Sequence, residues 1–187
     1  MPEREMWETF FDTSRILAAL GLDAAINDAA EFGCGYGTFT IPAAKIIKGT
    51  LFGFDIEPAM VRATNERARA QRARNVKAVV RDFIAAGSGL PDECVDYVML
   101  FNILHLENPS ILLGESRRIL KKGGKLGIIH WNHDPATPRG PSMGIRPKPE
   151  ECVEWAEAAG FRSPVRHDLK PYHYGIVFMK AEVLAWR

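Results

Sequence analysis

Residues 31–37 read EFGCGYG, a stretch that places three glycines within five positions, directly after an acidic and an aromatic residue. Glycine destabilises the interior of a helix or strand by roughly 0.5–1 kcal/mol relative to alanine, so this density indicates a loop. The loop follows a short apolar run and precedes an amphipathic one. In that context its backbone can approach a ligand closely, and the helix that follows offers free N–H groups to it. The stretch therefore predicts the ligand-binding loop of an α/β fold.

Short apolar runs alternate with longer amphipathic runs over most of the chain. The predicted strands lie at 29–32, 51–55, 77–82, 95–101, 125–131, 164–169 and 175–180. The predicted helices lie at about 5–20, 42–48, 58–75, 109–121 and 149–160. This order is typical of a mainly parallel sheet with helices packed on its faces. The proline-rich segment 132–148 is the one long irregular stretch, and long loops of this kind often carry function.

The composition fits one globular domain over residues 1–187, with 47% hydrophobic and 25% charged residues. The 24 lysines and arginines nearly balance the 23 acidic residues, so we expect no strong attraction to nucleic acid or acidic membranes. The three cysteines show no CxxC spacing, and no metal site is expected. No apolar run is long enough for a membrane span, and the N-terminus lacks the apolar core of a signal peptide. We therefore expect a cytoplasmic protein.

Polar residues follow three predicted strands, whose carboxyl ends meet at one edge of the sheet. Asp55 ends the second strand, 18 residues after the last glycine of the loop, where a carboxylate can accept both hydroxyls of a ribose. Its alternative role is to cap the next helix. Asp82 and Phe83 end the third strand, where they could bind the exocyclic amine of an adenine and flank its ring. Asn102 and His105 follow the fourth. Since ligands of open α/β sheets bind at this edge, these residues predict a nucleoside site.

Five stretches occur in this order: EFGCGYG (31–37), GFDIEPAM (53–60), VVRDF (79–83), DYVMLFNILHL (96–106) and ESRRILKKGGKLGIIHW (115–131). Together they resemble the class I S-adenosylmethionine-dependent methyltransferases, and the last stretch is similar to the ubiquinone and menaquinone biosynthesis branch. The resemblance covers residues 27–181. It implies a single-domain α/β fold with a Rossmann-like, doubly wound sheet of seven strands, the last of them antiparallel. The amphipathic segment 1–24 is expected to form a helical lid over the mouth of the site.

The resemblance also implies a cofactor, S-adenosylmethionine, which would leave as S-adenosylhomocysteine. The implied cofactor-binding residues are Glu31, Gly33, Gly35, Gly37, Asp55, Ile56, Asp82, Phe83 and Asn102. Glu31 matches the acidic residue before the glycines, and Ile56 matches the apolar residue against adenine. Asn102 falls near the backbone that receives the methionine amino group. The glycines would lie beneath the methionine part of the cofactor, where side chains would collide with it.

Residues after the fourth and fifth strands are the candidates for the acceptor side. His105 is predicted to act as a general base if the acceptor must lose a proton. His130, Trp131 and His133 are predicted to shape the acceptor pocket, and Trp7 to contribute from the N-terminal lid. The chain lacks the large insertions with which relatives grip big acceptors, so a small-molecule acceptor is favoured.

Two alternatives stay open at this point. The chain could be a non-catalytic module that binds the cofactor without turnover. It could also be a nicotinamide-dependent oxidoreductase, although Thr38 stands where the GxGxxG fingerprint needs its third glycine. A nucleic-acid acceptor is disfavoured, because the arginines of segment 67–74 alternate with alanine in a pattern typical of a solvated helix face. The fourth strand also ends without the Pro-Pro-aromatic motif that nucleobase amine methyltransferases use.

Overall fold

The computed structural model describes residues 3–181, so the ends of the predicted 1–187 domain and the start of the predicted 1–24 segment lie outside the described residues. Seven strands form one sheet: β1 (Ala29–Phe32), β2 (Leu51–Asp55), β3 (Val76–Val80), β4 (Val95–Phe101), β5 (Leu120–Trp131), β6 (Phe161–Leu169) and β7 (His173–Lys180). Their order is β3-β2-β1-β4-β5-β7-β6. The first five strands pair in parallel, and β7 is antiparallel to both β5 and β6. The predicted seven-stranded, doubly wound fold with an antiparallel last strand is confirmed.

Helices occupy the connections between the strands. They are α1 (Arg4–Glu8), α2 (Thr13–Ala19), α3 (Thr40–Ile46), α4 (Pro58–Ala70), α5 (Phe83–Ala86), α6 (Pro109–Ile119) and α7 (Pro149–Ala158). Proline occupies the first turn of α4, α6 and α7, where its missing N–H costs nothing because that group has no partner within the helix.

Several predicted boundaries were wrong. The strands predicted to begin at 125 and 164 begin at Leu120 and Phe161. Three helices also differ from their predictions. The helix predicted over 5–20 is two short helices, with a break between them at 9–12. The helix predicted to reach Asn75 ends at Ala70, and Arg72 just beyond it has a left-handed backbone with φ 57°. The helix predicted to reach 121 ends at Ile119, because Leu120 is fully buried and already pairs with Val95 as the first residue of β5.

Both faces of the sheet are covered, which explains the continuous apolar run in β4. Val98 and Leu100 belong to one buried cluster, under α6 and α7, whereas Tyr97 and Met99 belong to the other, under α2 and α3. Ala29 and Ala30 alternate in the same way. Both are fully buried, Ala29 in the cluster under α2 and α3 and Ala30 in the cluster under α6 and α7. The central position of β1 therefore accounts for a strand that its own composition scarcely predicts.

The N-terminal segment packs over the carboxyl end of β5. The ring centroids of Trp7 and Phe10 lie 6.2 and 5.3 Å from that of Trp131. The Glu8 carboxylate forms an ion pair with Arg67 on α4, and Thr38 donates a 3.5 Å hydrogen bond to the same carboxylate. Arg67 therefore does not belong to the wholly solvated face predicted for these arginines. These contacts hold α1 against α4 and against Thr38, the residue that follows the glycine loop.

None of the helices within residues 3–181 is long and apolar enough to cross a membrane. The cytoplasmic location expected from the sequence stays a prediction.

Candidate functional site

A cavity of about 870 Å³ lies at the carboxyl edge of the sheet. Its walls come from the segments that follow β1, β2, β3, β4 and β5, together with Trp7 from α1. The volume falls in the range of sites for small molecules and cofactors, which is about 300–1,000 Å³. Most of the predicted site residues line it, namely Trp7, Glu31, Gly33, Gly35, Asp55, Ile56, Asp82, Phe83, Asn102, His105 and Trp131.

The glycine loop is fastened to the neighbouring strand. The Gly33 and Cys34 N–H groups both donate to the Phe54 carbonyl, at 2.8 and 2.9 Å. Gly33 has φ 77°, and a Cβ there would lie 2.6 Å from Cδ1 of Ile103. The left-handed backbone therefore favours glycine at this position, besides the predicted closeness to a cofactor.

Asp55 is the residue that joins the loop to β2. One carboxylate oxygen accepts from the Gly35 N–H at 2.8 Å, and the other accepts from the Glu57 N–H at 3.0 Å. The side chain is 8% exposed and lines the cavity. A carboxylate has about four acceptor sites, so two remain for the hydroxyls of a ribose. Asp55 fits its predicted role at a ribose, and its bond to the Glu57 N–H, at the N-cap of α4, also fits the alternative role at the start of that helix.

Glu31 brings a buried carboxyl group to the floor of the cavity. It is 3% exposed and accepts a hydrogen bond from the Thr40 hydroxyl. Burial raises the pKa of this carboxyl to about 8; the Thr40 hydrogen bond opposes the shift and the Asp55 charge adds to it. Near neutral pH the group is therefore poised to lose its proton when a cation arrives beside it.

The residues predicted to hold adenine lie side by side on the wall. Ile56 exposes 55% of its surface although it is apolar, as expected of a residue that a flat ring would cover. Oδ1 of Asp82 accepts the Ile84 and Ala85 N–H groups at 3.1 and 2.9 Å and so caps α5. Its Oδ2 takes no part in those bonds. Phe83 is buried and packs edge-on against Phe32.

Asn102 supplies the clearest sign that a polar ligand belongs here. Its backbone is left-handed, with φ 57°, and its N–H donates to the Ile129 carbonyl at 2.7 Å. Its side-chain Oδ1 and Nδ2 are buried and have no hydrogen-bond partner within residues 3–181. Leaving such groups unpaired costs about 1–3 kcal/mol each, so a ligand that pairs with them gains affinity. Together with the Asp55 acceptor sites, these atoms fit a nucleoside that carries an amino-acid portion.

The far side of the cavity is mostly apolar. Trp7, Trp131, Phe101 and Leu106 form its walls, with His105 among them. Burial lowers the pKa of His105, so its imidazole is neutral near pH 7 and can accept a proton. Nδ1 of this ring is buried without a hydrogen-bond partner in the described chain.

Two residues predicted for the acceptor pocket lie elsewhere. His130 is fully buried and is not part of the cavity wall, because alternate residues of a strand face opposite sides of the sheet and Trp131 faces the cavity. Burial lowers the pKa of His130 to about 3. His133 lies in the loop after β5, where its Nδ1 is 2.8 Å from the Arg146 carbonyl oxygen, outside the cavity.

The proline-rich loop contributes residues that sequence reasoning missed. Arg139, Gly140 and Pro141 line the cavity. The buried Arg146 guanidinium holds this loop, donating to the carbonyls of residues 132, 134, 139 and 141 at 2.8–3.2 Å and to the Thr137 hydroxyl. The only sequence signal for these residues was the length of the loop itself.

Within residues 3–181 there is no group of three or more His, Cys, Asp or Glu side chains that could hold a metal ion.

Replacing Glu31 by glutamine is expected to flatten the pH dependence of stability. In the unfolded chain the Glu31 pKa is near its ordinary 4.5, whereas in the fold it is about 8. Between these values the folded state binds a proton that the unfolded state lacks, so stability contributed by this group is lost as pH rises towards 8. We expect the wild-type melting temperature to fall more than that of E31Q between pH 5 and 8.5. Parallel curves for the two proteins would contradict this assignment.

The chain was compared with known proteins. A family model described as "Methyltransferase domain" matches residues 29–165. An uncharacterized protein of Methanocaldococcus jannaschii is 30% identical over 135 residues, which cover 67% of this chain and 58% of that protein. The ribosomal protein L11 methyltransferase of Methylococcus capsulatus is 32% identical over 149 residues, covering 75% of this chain and 48% of the relative. The chain thus spans about half the length of these curated relatives.

Among solved structures, a SAM dependent methyltransferase from Aquifex aeolicus superposes with a TM-score of 0.84 at 24% identity. The alignment covers 96% of this chain and 94% of that one. The similarity extends over all seven strands and confirms the architecture.

Proposed function

The chain belongs to the methyltransferase family whose model it matches; from that premise we propose that it is an S-adenosylmethionine-dependent methyltransferase and that it methylates a small molecule. The nicotinamide-dependent alternative does not fit the family match. A protein acceptor is the alternative that the Methylococcus relative raises, and a non-catalytic cofactor-binding module is another.

The residues that we propose to hold the cofactor are those that line its side of the cavity. Asp55 would bind the ribose hydroxyls, Ile56 and Phe83 the faces of the adenine, and Asp82 its amine. The unpaired amide of Asn102 and the buried Glu31 would face the methionine portion. When bound, S-adenosylmethionine supplies an electrophilic methyl group on a positively charged sulfur.

The aromatic walls of the acceptor side are the observation that favours a small acceptor. Trp7 arrives from α1, Trp131 from the end of β5, and Pro141 from the proline-rich loop. The α1 helix is fixed by its ion pair with Arg67, and the loop is fixed by Arg146. A cavity of about 870 Å³ that also holds the cofactor leaves room for an acceptor of modest size. The resemblance of segment 115–131 to the ubiquinone and menaquinone branch supports the same choice.

The chain's main contribution to catalysis would be alignment and exclusion of water, which are worth up to about 7–11 kcal/mol. The acceptor atom gains the methyl group and, where it carries a proton, loses it. We assign that proton to His105, which lines the cavity as a neutral imidazole and would pass it on to solvent.

The proposal is tested by incubating the protein with S-adenosylmethionine that carries a labelled methyl group, in two parallel arms. One arm contains a low-molecular-weight cell extract, and the other contains ribosomal proteins. We expect label in small molecules, detected by mass spectrometry, and none with a variant unable to bind the cofactor. Label found in protein alone would indicate that the acceptor is a protein and not a small molecule. Binding of S-adenosylhomocysteine without labelled product in either arm would favour the non-catalytic module.

A further inference from the structure

We propose that Arg139 binds an anionic group, a carboxylate or a phosphate, on an acceptor whose flat apolar body lies against Trp7 and Trp131. This inference rests on the proposed function and narrows its acceptor to a class of small organic acids.

Arg139 is a cation without a carboxylate partner. Within residues 3–181 none of the ion pairs includes it, and its polar contact is with Sδ of Met6 at 3.3 Å. A thioether is only a weak acceptor and uses one N–H of the guanidinium, so the other four N–H donors remain available. Its planar fork matches the two oxygens of a carboxylate or phosphate better than any other side chain does.

The position of Arg139 is fixed by its surroundings. Its own carbonyl oxygen accepts from Arg146 at 3.2 Å, and the Pro141 carbonyl accepts from the same guanidinium at 2.8 Å. Between them, Gly140 packs so closely that a Cβ there would lie 2.9 Å from Cγ of Trp131. These contacts hold the backbone of the loop beside Trp131, and the exposed Arg139 side chain extends from that fixed backbone.

Charge is divided between the two sides of the cavity. Glu31, Asp55, Glu57 and Asp82 line the cofactor side, whereas Arg139 is the only lysine or arginine among the described residues that line the cavity. It stands beside the apolar and aromatic walls of the acceptor side and is itself exposed, so an anion can reach it from solvent. This arrangement disfavours an ammonium group, such as a lysine side chain, and favours an organic anion.

A competing role for Arg139 is to bind the carboxylate of the cofactor itself. The two roles make different predictions for cofactor affinity. If Arg139 serves the acceptor, removing its charge leaves S-adenosylhomocysteine affinity unchanged; if it serves the cofactor, that affinity falls.

The test compares the wild type with R139M, R139K and, as a matched control, R74M on the exposed surface beyond α4. Each protein is saturated with S-adenosylhomocysteine and screened by ligand-observed NMR against planar aromatic carboxylates, the corresponding aryl phosphates and the matched neutral amides. We expect the wild type and R74M to prefer one acid series over the amides by about tenfold or more. R139M should lose that preference, and R139K should keep part of it. Whether the carboxylates or the aryl phosphates bind shows which of the two anionic groups Arg139 takes.

Several results would overturn the inference. One is equal binding of acids and amides to the wild type. Another is a preference for acids that survives in R139M. A third is a screen in which no acid binds. A fall in S-adenosylhomocysteine affinity in R139M would assign the residue to the cofactor. None of these outcomes depends on methyl transfer, so the inference can fail while the labelled-methyl assay succeeds, and the reverse.

Discussion

Asp55→Ala should weaken S-adenosylhomocysteine binding by about 100-fold or more, as measured by isothermal titration calorimetry. The carboxylate is positioned to accept two ribose hydroxyls, and hydrogen bonds to a charged group contribute about 1.5–3 kcal/mol each. The same carboxylate also accepts the Gly35 N–H at 2.8 Å. Its loss therefore also removes one of the hydrogen bonds between the glycine loop and β2, and both effects act in the same direction.

Glu66→Ala is the matched control, because Glu66 is an exposed carboxylate on α4 that does not line the cavity. We expect its affinity for S-adenosylhomocysteine to stay close to the wild-type value. Circular dichroism on both variants separates lost binding from lost folding. If D55A is folded and its affinity for S-adenosylhomocysteine stays within threefold of the wild-type value, the assignment of Asp55 to the ribose is wrong.

The residues on the side of the cavity that we propose for the cofactor could be brought together from the sequence because their signals are local. A left-handed glycine loop between a strand and a helix, and a carboxylate at the end of the next strand, are each written within a few residues. Parallel strand order then brings Gly35 and Asp55 to the same edge without further information. The one strand with poor composition, Ala29–Phe32, was placed correctly because the loop after it requires a strand there.

The acceptor side was less predictable because its signals are not local. Histidines at 130 and 133 and a tryptophan between them all lie near the end of one strand. Only the packing of β5 against α2 and β7 decides that Trp131 faces the cavity and His130 the opposite side. Arg139 was missed for a different reason. The loop that carries it has no periodicity, and its path depends on bonds from Arg146 that cross 5 to 14 residues of sequence.

The helix boundaries also divide into those with a local sequence signal and those without one. The prolines at 58, 109 and 149 gave the starts of α4, α6 and α7 correctly. The end of α4 was misplaced because Arg72 takes a left-handed conformation, which a residue other than glycine or asparagine seldom adopts. The 5–20 segment was misread because the apolar residues on both sides of the break form one amphipathic pattern, although Trp7 lines the cavity and Ile16 and Leu17 lie in the core.

His105→Gln is expected to lower kcat about 10²- to 10⁴-fold once an acceptor is in hand, the range typical of a lost general base. Glutamine keeps a polar group of similar reach but cannot accept the proton, so S-adenosylhomocysteine affinity should not change. Because burial lowers the pKa of His105, kcat/KM of the wild type should rise with pH to a plateau, with an inflection below the ordinary value of about 6.5.

The inflection distinguishes a base from a residue that merely shapes the pocket, since only a base must be neutral to act. In H105Q the inflection should disappear and the remaining activity should show no step in that range. Phe101→Leu is the companion variant, because it alters the same wall without removing a titratable group; it should change KM and retain the inflection. If H105Q keeps both its kcat and the pH step, the acceptor atom is deprotonated before it reaches the site, as the oxygen of a carboxylate is. The role of His105 would then be to pack beside His130, whose ring centroid lies 5.6 Å away.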